Sequence, residues 1–315
     1  MEKNPNQFVW TEAYRPTKIA DCILSKSIKD AAEGYVKQGR CPTLILSGTA
    51  GVGKTTLARC IANELDADFM VINASMESGI DTIRTKIASF ASTVSFTDSK
   101  KITLLDEADG LTPAAQASLR AFIEEFSNNH SLILTCNFVH KLIEPLHSRA
   151  SVIDFKIPRA EKASLASHFF KRVLMILDQE QVEYEKKVVA EVVNHYFPDF
   201  RRCLNELQKY SVSGKIDSGI LANFSDESFN ELIAALKGKK FNDMRKWVAQ
   251  SDMDSTRLFR ELYHKASEKL EPKSIPPLIL LIGQYQYQSA FVADQEINTA
   301  AFLTEVLLSQ DIIWK

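Results

Sequence analysis

Short apolar runs alternate with amphipathic stretches through the first half of the chain. Thr43-Leu44-Ile45-Leu46-Ser47 has the continuous apolar character of a buried strand, and Thr56-Leu57-Ala58-Arg59-Cys60-Ile61-Ala62 has the apolar spacing of a helix. Phe69 to Asn73, Lys101 to Leu105, Ser131 to Thr135 and Val152 to Phe155 read as four further strands. Helices are predicted between them. One covers Ser27 to Gln38 and is closed by Gly39 and Pro42; a second opens at Gly79-Ile80-Asp81 and runs through Ile83, Ile87, Phe90 and Ala91. A third starts at Thr112-Pro113, an N-cap followed by proline at the first helical position, and continues through Leu119, Phe122, Ile123 and Phe126. This alternation predicts an α/β fold with a five-stranded parallel sheet covered by helices on both faces.

The character changes at Pro158. From there to the C-terminus only helical patterns stand out and no strand run is convincing. One block ends in the turn-like Lys215-Ile216-Asp217-Ser218-Gly219. In the next, Leu258, Phe259, Leu262, Tyr263, Ala266 and Leu270 share one helical face, a stripe that reads as core or subunit contact and not as a ligand box. The closing segment from Phe302 to Trp314 is apolar enough to be buried. The expected organisation is an α/β domain over 1–157, a small helical domain over 158–222 and an all-helical domain over 223–315.

The candidate chemistry lies where the strands end. Gly48-Thr49-Ala50-Gly51-Val52-Gly53-Lys54-Thr55 joins the first strand to the first sheet-packing helix, the context a P-loop requires. Its glycines let backbone N–H groups form a nest for phosphate, and the helix N-terminus adds its positive dipole end. Lys54 would reach the β- and γ-phosphates and Thr55 would ligate Mg²⁺. Thr56 and Asp106 complete the candidate nucleotide-binding set on this side. Asp106-Glu107-Ala108-Asp109 leaves the third strand, placing Asp106 to hold Mg²⁺ and Glu107 to polarise a water in line with the γ-phosphate. Asn137, two residues past the fourth strand, could orient that water. Arg149 follows a short helical segment, where an arginine also suits capping of the helix end. Arg201 lies in the first turn of a helix that Asp199 would cap. A cation there opposes the macrodipole, so an external anion such as phosphate is its natural partner.

Composition narrows the class. The chain has 315 residues, 45% hydrophobic and 25% charged, enough for two or three domains with their own cores. Its net charge is −2, so any nucleic acid must be met by local placement of donors, because there is no basic excess. The five cysteines are widely spaced with no C-x-x-C pair, which argues against a zinc site and for reduced thiols. No stretch has the length of a membrane span, and the expectation is a cytoplasmic protein without a membrane partner.

Taken together, Trp10-Thr11-Glu12-Ala13-Tyr14-Arg15-Pro16, the Gly48–Thr55 loop, Asp106-Glu107-Ala108-Asp109, Thr135-Cys136-Asn137 and Ser148-Arg149 resemble the AAA+ ATPase subunits of sliding-clamp loaders, of the replication factor C small-subunit type. The likeness spans essentially the whole chain. Pro198-Asp199-Phe200-Arg201, Ser218-Gly219-Ile220-Leu221 and Trp314-Lys315 are most similar to the T-even-like phage branch, which implies the host cytoplasm as its compartment. Ala150 and Pro198 stand where cellular members usually have cysteine and glycine.

The resemblance implies an AAA+ ATPase domain, a lid and an oligomerisation collar, with several subunits in a ring-like, pentameric assembly that binds a sliding clamp and primer–template DNA. It implies ATP and Mg²⁺, with Tyr14, Arg15 and Pro16 flanking the adenine, Arg149 as an arginine finger on the neighbour's ATP, and Arg201 sensing the γ-phosphate in cis. DNA contacts are implied at Gly79, Ile80 and Arg84 and at Thr112, with Gln116 and Arg120 coupling DNA to the ATP sites. Two other classes fit a P-loop chain. One is an AAA+ motor such as a branch-migration helicase or an unfoldase, although Asn73-Ala74-Ser75-Met76-Glu77-Ser78 lacks the aromatic residue an unfoldase loop needs. The other is a non-hydrolysing switch or scaffold subunit, against which Lys54 and Glu107 both argue.

Overall fold

A computed structural model of the chain describes residues 3–4, 7–76, 80–93, 100–126, 130–212, 214–222, 226–250, 253, 255–266 and 269–315. Its contacts divide into two compact units, Met1–Leu221 and Ala222–Lys315.

The first unit is built on the parallel sheet. Strands β1 (Leu44–Ser47), β2 (Asp68–Asn73), β3 (Lys101–Asp106), β4 (His130–Cys136) and β5 (Ser151–Asp154) lie in the order β2-β3-β4-β1-β5, every pair parallel. Side chains alternate across the sheet, and both faces are covered. Leu44, Leu46, Ile102, Leu104 and Ile133 pack with Leu57, Ala58 and Ile61, whereas Ile45, Leu105, Leu132 and Leu134 pack with Ile83, Ile87, Leu119 and Phe122. Those partners lie on α3 (Lys54–Glu64), α4 (Ile80–Ser92) and α5 (Pro113–Glu125), and α2 (Lys26–Lys37, after the short α1, Trp10–Ala13) adds Ile28 and Ala32 to the first group. A four-residue α6 (Glu144–His147) precedes β5. The register pairs Ser47 with Cys136 and Asn73 with Asp106, so the loops leaving β1, β2, β3 and β4 emerge along one edge. Open parallel sheets bind ligands at that edge.

Beyond Pro158 the unit continues with α7 (Arg159–Gln179), α8 (Lys186–Tyr196) and α9 (Phe200–Ser211). The expectation of helices alone is corrected here: β6 (Glu183–Tyr184) and β7 (Lys215–Ile216) form a two-stranded parallel sheet. Strands of two residues carry no periodicity, which is why the pattern missed them. Asp199 caps α9 as predicted, its Oδ1 accepting from the Arg202 N–H at 2.9 Å. A short α10 (Gly219–Ala222) ends the block.

The second unit consists of α11 (Asp226–Lys237), α12 (Phe241–Gln250), α13 (Ser255–Glu261), α14 (Ile275–Gln288) and α15 (Gln295–Leu308) around Leu232, Leu236, Met244, Leu258, Phe302 and Leu303. The predicted stripe is interrupted. Leu258, Phe259, Leu262 and Leu270 are buried, but Tyr263 is exposed, because the backbone shifts to π-helical spacing over Leu262–Ala266 and rotates it off the face. The C-terminal expectation holds, with Phe302, Leu303, Val306, Leu307 and Ile312 all buried.

Candidate nucleotide site

One pocket at the sheet edge gathers most of the predicted residues. Ala50, Gly51, Val52, Gly53, Lys54, Thr55 and Thr56 line it, together with Asp106, Glu107, Asn137, Arg201, Tyr14, Arg15 and Pro16. Gly51 and Gly53 carry φ of +75° and +98°, a region that side-chain-bearing residues seldom adopt, and this bends the loop back onto the start of α3. Lys54 Nζ donates to the carbonyls of Gly48 (2.6 Å) and Thr49 (2.8 Å) and to Asn137 Oδ1 (3.0 Å). Burial pushes the Lys54 ammonium below the usual lysine value, and the charges of Asp106 and Asp109 oppose that shift. A desolvated ammonium whose donors rest on neutral oxygens suits an anion.

The acidic pair takes two different geometries. Asp106 Oδ1 accepts from Thr55 Oγ1 (2.9 Å) and Thr135 Oγ1 (2.5 Å), so a hydroxyl and a carboxylate are held together at the mouth of the loop. Those hard oxygens fit Mg²⁺, which is commonly bound by one or two protein oxygens plus substrate phosphates. Among the described residues there is no group of three or more His, Cys, Asp or Glu that could hold a metal ion. Glu107 adopts φ +59°, an unusual left-handed conformation for a non-glycine residue, fixed by its N–H donating to Thr135 Oγ1 at 3.0 Å. Its carboxylate accepts from Ser75 Oγ at 2.5 Å. Residue spacing does not reveal Ser75, since the β2–β3 pairing, with Asn73 opposite Asp106, is what brings it beside the acid. Asp109 Oδ2 accepts from the N–H groups of Asn137 and Phe138, both at 3.3 Å, and positions that loop.

The helical block closes the pocket. The Phe200 N–H donates to the Gly51 carbonyl at 3.1 Å. A Cβ on Gly51 would collide with Asp199 Oδ1, so the glycine is required for α9 to approach the P-loop. Arg15 Nη1 donates to Thr56 Oγ1 at 3.1 Å, and Tyr14 OH donates to Glu180 Oε1, at the end of α7, at 2.5 Å. Burial, then the Glu180 carboxylate, pushes the Tyr14 phenol well up. Gln208 of α9 accepts from the Trp10 N–H and donates to the Phe8 carbonyl, both at 2.9 Å. The N-terminal arm is thereby tied to α3 on one side and to α7 and α9 on the other.

Arg149 is not among the pocket-lining residues. Its Nη1 donates to the Pro145 carbonyl (3.0 Å), satisfying the capping expectation, and its Nη2 pairs with Glu124 Oε1 (2.6 Å). Arg84 is exposed on α4. Thr112 caps α5, its Oγ1 accepting from the Ala115 N–H at 3.3 Å. Gly79 lies outside the described residues, as does the side chain of Ile80. Gln116 is 2% exposed, its Nε2 donating to Leu111 and Lys141 carbonyls and its Oε1 accepting from the Ile143 N–H.

Residues 44–158 match the family model for ATPases associated with various cellular activities, AAA, and residues 161–222 match that for the AAA+ ATPase lid domain of the sliding-clamp-loader large subunit. The chain is 33% identical to the sliding-clamp-loader large subunit of Escherichia phage RB69, with 99% of each chain covered. The chain belongs to the AAA+ sliding-clamp-loader family. The corresponding subunit of Enterobacteria phage T4 is 31% identical over 99% of each chain, and the replication factor C small subunit of Saccharolobus solfataricus is 30% identical over 98% of this chain and 97% of that one. Among solved structures, a point mutant of RuvB from Thermotoga maritima superposes with a TM-score of 0.55 at 18% identity, covering 85% of this chain and 86% of that one. That likeness concerns the AAA+ fold alone. Among the described residues no helix is long and apolar enough to cross a membrane.

Proposed function

We propose that this clamp-loader subunit binds ATP in the pocket and hydrolyses it, within a ring-like and pentameric assembly, to hold a sliding clamp open and release it on primer–template DNA. The P-loop N–H groups, Lys54 and Arg201 bind phosphate, Tyr14, Arg15 and Pro16 flank the adenine, Glu107 polarises the attacking water and Asn137 orients it. Thr55 and Asp106 would hold Mg²⁺, which supplies charge neutralisation at the β- and γ-phosphate oxygens when bound. The division of labour follows 1–157 as ATPase domain, 158–222 as lid and 223–315 as collar. The exposed Arg84 and the N-termini of α4 and α5 serve as phosphate contacts for DNA, a mode that needs no basic excess, and Gln116 and Arg120 relay that contact. The expected compartment is the host cytoplasm.

One observation supports the assembly reading above the rest: the pocket gathers Lys54, Asp106, Glu107, Asn137 and Arg201 but not Arg149. A cation held by Glu124 and Pro145 at the molecular surface is available to a neighbour's nucleotide. Trans arginine fingers contribute roughly 10³–10⁵ in rate. Hydrolysis is therefore expected to be slow for the chain alone and stimulated by clamp and primed DNA. Mixing Lys54→Ala with Arg149→Ala subunits tests the trans geometry, because some mixed interfaces then hold one intact site. Full activity of an Arg149→Ala monomer refutes it, and unchanged stimulated turnover in Lys54→Ala refutes the P-loop assignment.

A further inference from the structure

Helix α7 carries one residue that its packing does not account for. Phe169, Arg172 and Ile176, spaced three and four apart on one face, all line the nucleotide pocket. Phe169 and Ile176 are buried and continue the apolar stripe of Leu165 and Val173. Arg172 interrupts that stripe. Among the described residues its guanidinium makes no hydrogen bond or ion pair. Burial holds it below the usual arginine value, with the charge of Asp21 as the main opposing influence. An arginine is always charged, so desolvation without a partner is a cost that a ligand acceptor would offset.

Its position selects the part of the ligand it faces. The charges acting on Lys54 come from Cys136, Asp106, Asp109 and Arg201, residues at the ends of the sheet strands and the start of α9. Those acting on Arg172 are Asp21 and Cys22, in the segment that follows the N-terminal arm. The same pocket is also lined by Tyr14, Pro16, Ile23, Leu24 and Leu204, flat and apolar surfaces suited to the faces of a base. A planar fork of N–H donors beside such a slot matches ring nitrogens, which are acceptors on the edge of the base.

We propose that Arg172 is a base-recognition residue of the nucleotide pocket, donating from its guanidinium to ring-nitrogen acceptors of a purine held between the N-terminal arm and α7. The inference rests on the nucleotide-binding reading above and adds a specificity determinant from the lid.

The test measures dissociation constants of ATP, CTP and inorganic tripolyphosphate by calorimetry on the full chain, for the wild type, Arg172→Met and Arg172→Lys. The expected result is a loss of about ten-fold or more for ATP in Arg172→Met, the scale of one charge-assisted hydrogen bond, with tripolyphosphate little changed and the ATP-over-CTP preference reduced. Arg172→Lys keeps the charge but not the fork and falls between. The unliganded melting temperature of Arg172→Met stays level or rises, because no ion pair is lost. Equal ATP affinity in wild type and Arg172→Met overturns the proposal, as does a parallel loss for ATP and tripolyphosphate or a fall in unliganded melting temperature. A wild type that binds none of the three overturns the nucleotide reading itself, a result distinct from these.

Discussion

The contact between Ser75 and Glu107 would make the proposed catalytic glutamate adjustable. In this structure Glu107 Oε2 accepts from Ser75 Oγ at 2.5 Å, so the acid proposed to polarise water is engaged elsewhere. Hydrogen bonds to charged groups are worth about 1.5–3 kcal/mol, and both partners are exposed, which favours the lower end. A hold of ~1.5 kcal/mol corresponds to roughly ten-fold in the population of the released carboxylate. Ser75→Ala should therefore raise hydrolysis without DNA by about ten-fold while leaving the DNA-stimulated rate near its wild-type value. Ser75→Thr, which retains the hydroxyl, should behave like the wild type. The assay is single-turnover ATP hydrolysis by the assembled loader, with nucleotide affinity measured in parallel and Glu107→Gln as the inactive reference. A basal rate in Ser75→Ala that is unchanged or lower, with ATP binding intact, refutes the holding role and makes the serine a structural partner of the acid.

Gln116→Leu removes three buried hydrogen bonds, strands two carbonyls and an N–H, and should cost about 3 kcal/mol, read as a lower urea midpoint of the first unit. His130 is buried between Phe90 and Phe122, its Nε2 hydrogen-bonded to Thr103 Oγ1 at 2.9 Å, and burial together with the Lys101 charge pushes its pKa down to about 4. The unfolded chain takes up that proton below about pH 6.5 and the folded chain does not, so the neutral ring's contribution is present above pH 6.5 and lost between pH 6.5 and 4, about 3 kcal/mol in all. Comparing urea midpoints of wild type and His130→Gln across that window checks it, with a flatter pH dependence expected for the variant. Gly51→Ala combines a left-handed φ of +75° with a collision at Asp199, and should weaken ATP binding by at least ten-fold in calorimetry without unfolding the sheet.

What could be read from the sequence follows from where the information is local. Leu44-Ile45-Leu46 and Leu104-Leu105 declare buried strands because both faces of a parallel sheet are apolar, and the glycines of the P-loop mark a turn that only one backbone path satisfies. The third strand extends one residue beyond its apolar run, to Asp106, because pairing with Asn73 carries the ladder into the polar edge. Arg201 on the pocket wall was legible through its conflict with the helix dipole. Arg172 was not, since an arginine in an amphipathic helix has the same pattern whether solvated or aimed at a slot. Ser75 and the Arg149–Glu124 pair were equally hidden. Each depends on a partner 25 or more positions away, brought close by sheet register or by the packing of α5 and α6, which residue spacing does not encode.

The hydrogen bonds around Lys54 also tie the state of the phosphate loop to the surface proposed to meet DNA. Lys54 holds Asn137, and the N–H groups of Asn137 and Phe138 rest on Asp109. The same loop continues to Lys141 and Ile143, whose carbonyl and N–H are both taken by Gln116 inside α5, and α5 begins at the exposed Thr112 cap. Phosphate at the P-loop would draw on the same Lys54 donors that now rest on Gly48, Thr49 and Asn137, and where it displaced Asn137 it would bias the position of this loop. A shift that extended to Lys141 and Ile143 would disturb Gln116, since its three bonds are buried and leaving any of them unmade is costly. Any such influence runs equally in reverse, as linkage demands: an anion settling at the start of α5 would change the balance at Lys54 by the same free energy that phosphate would change it at α5. Under the proposed function, the nucleotide site would report on DNA through the buried Gln116, a route that needs no basic excess in the chain.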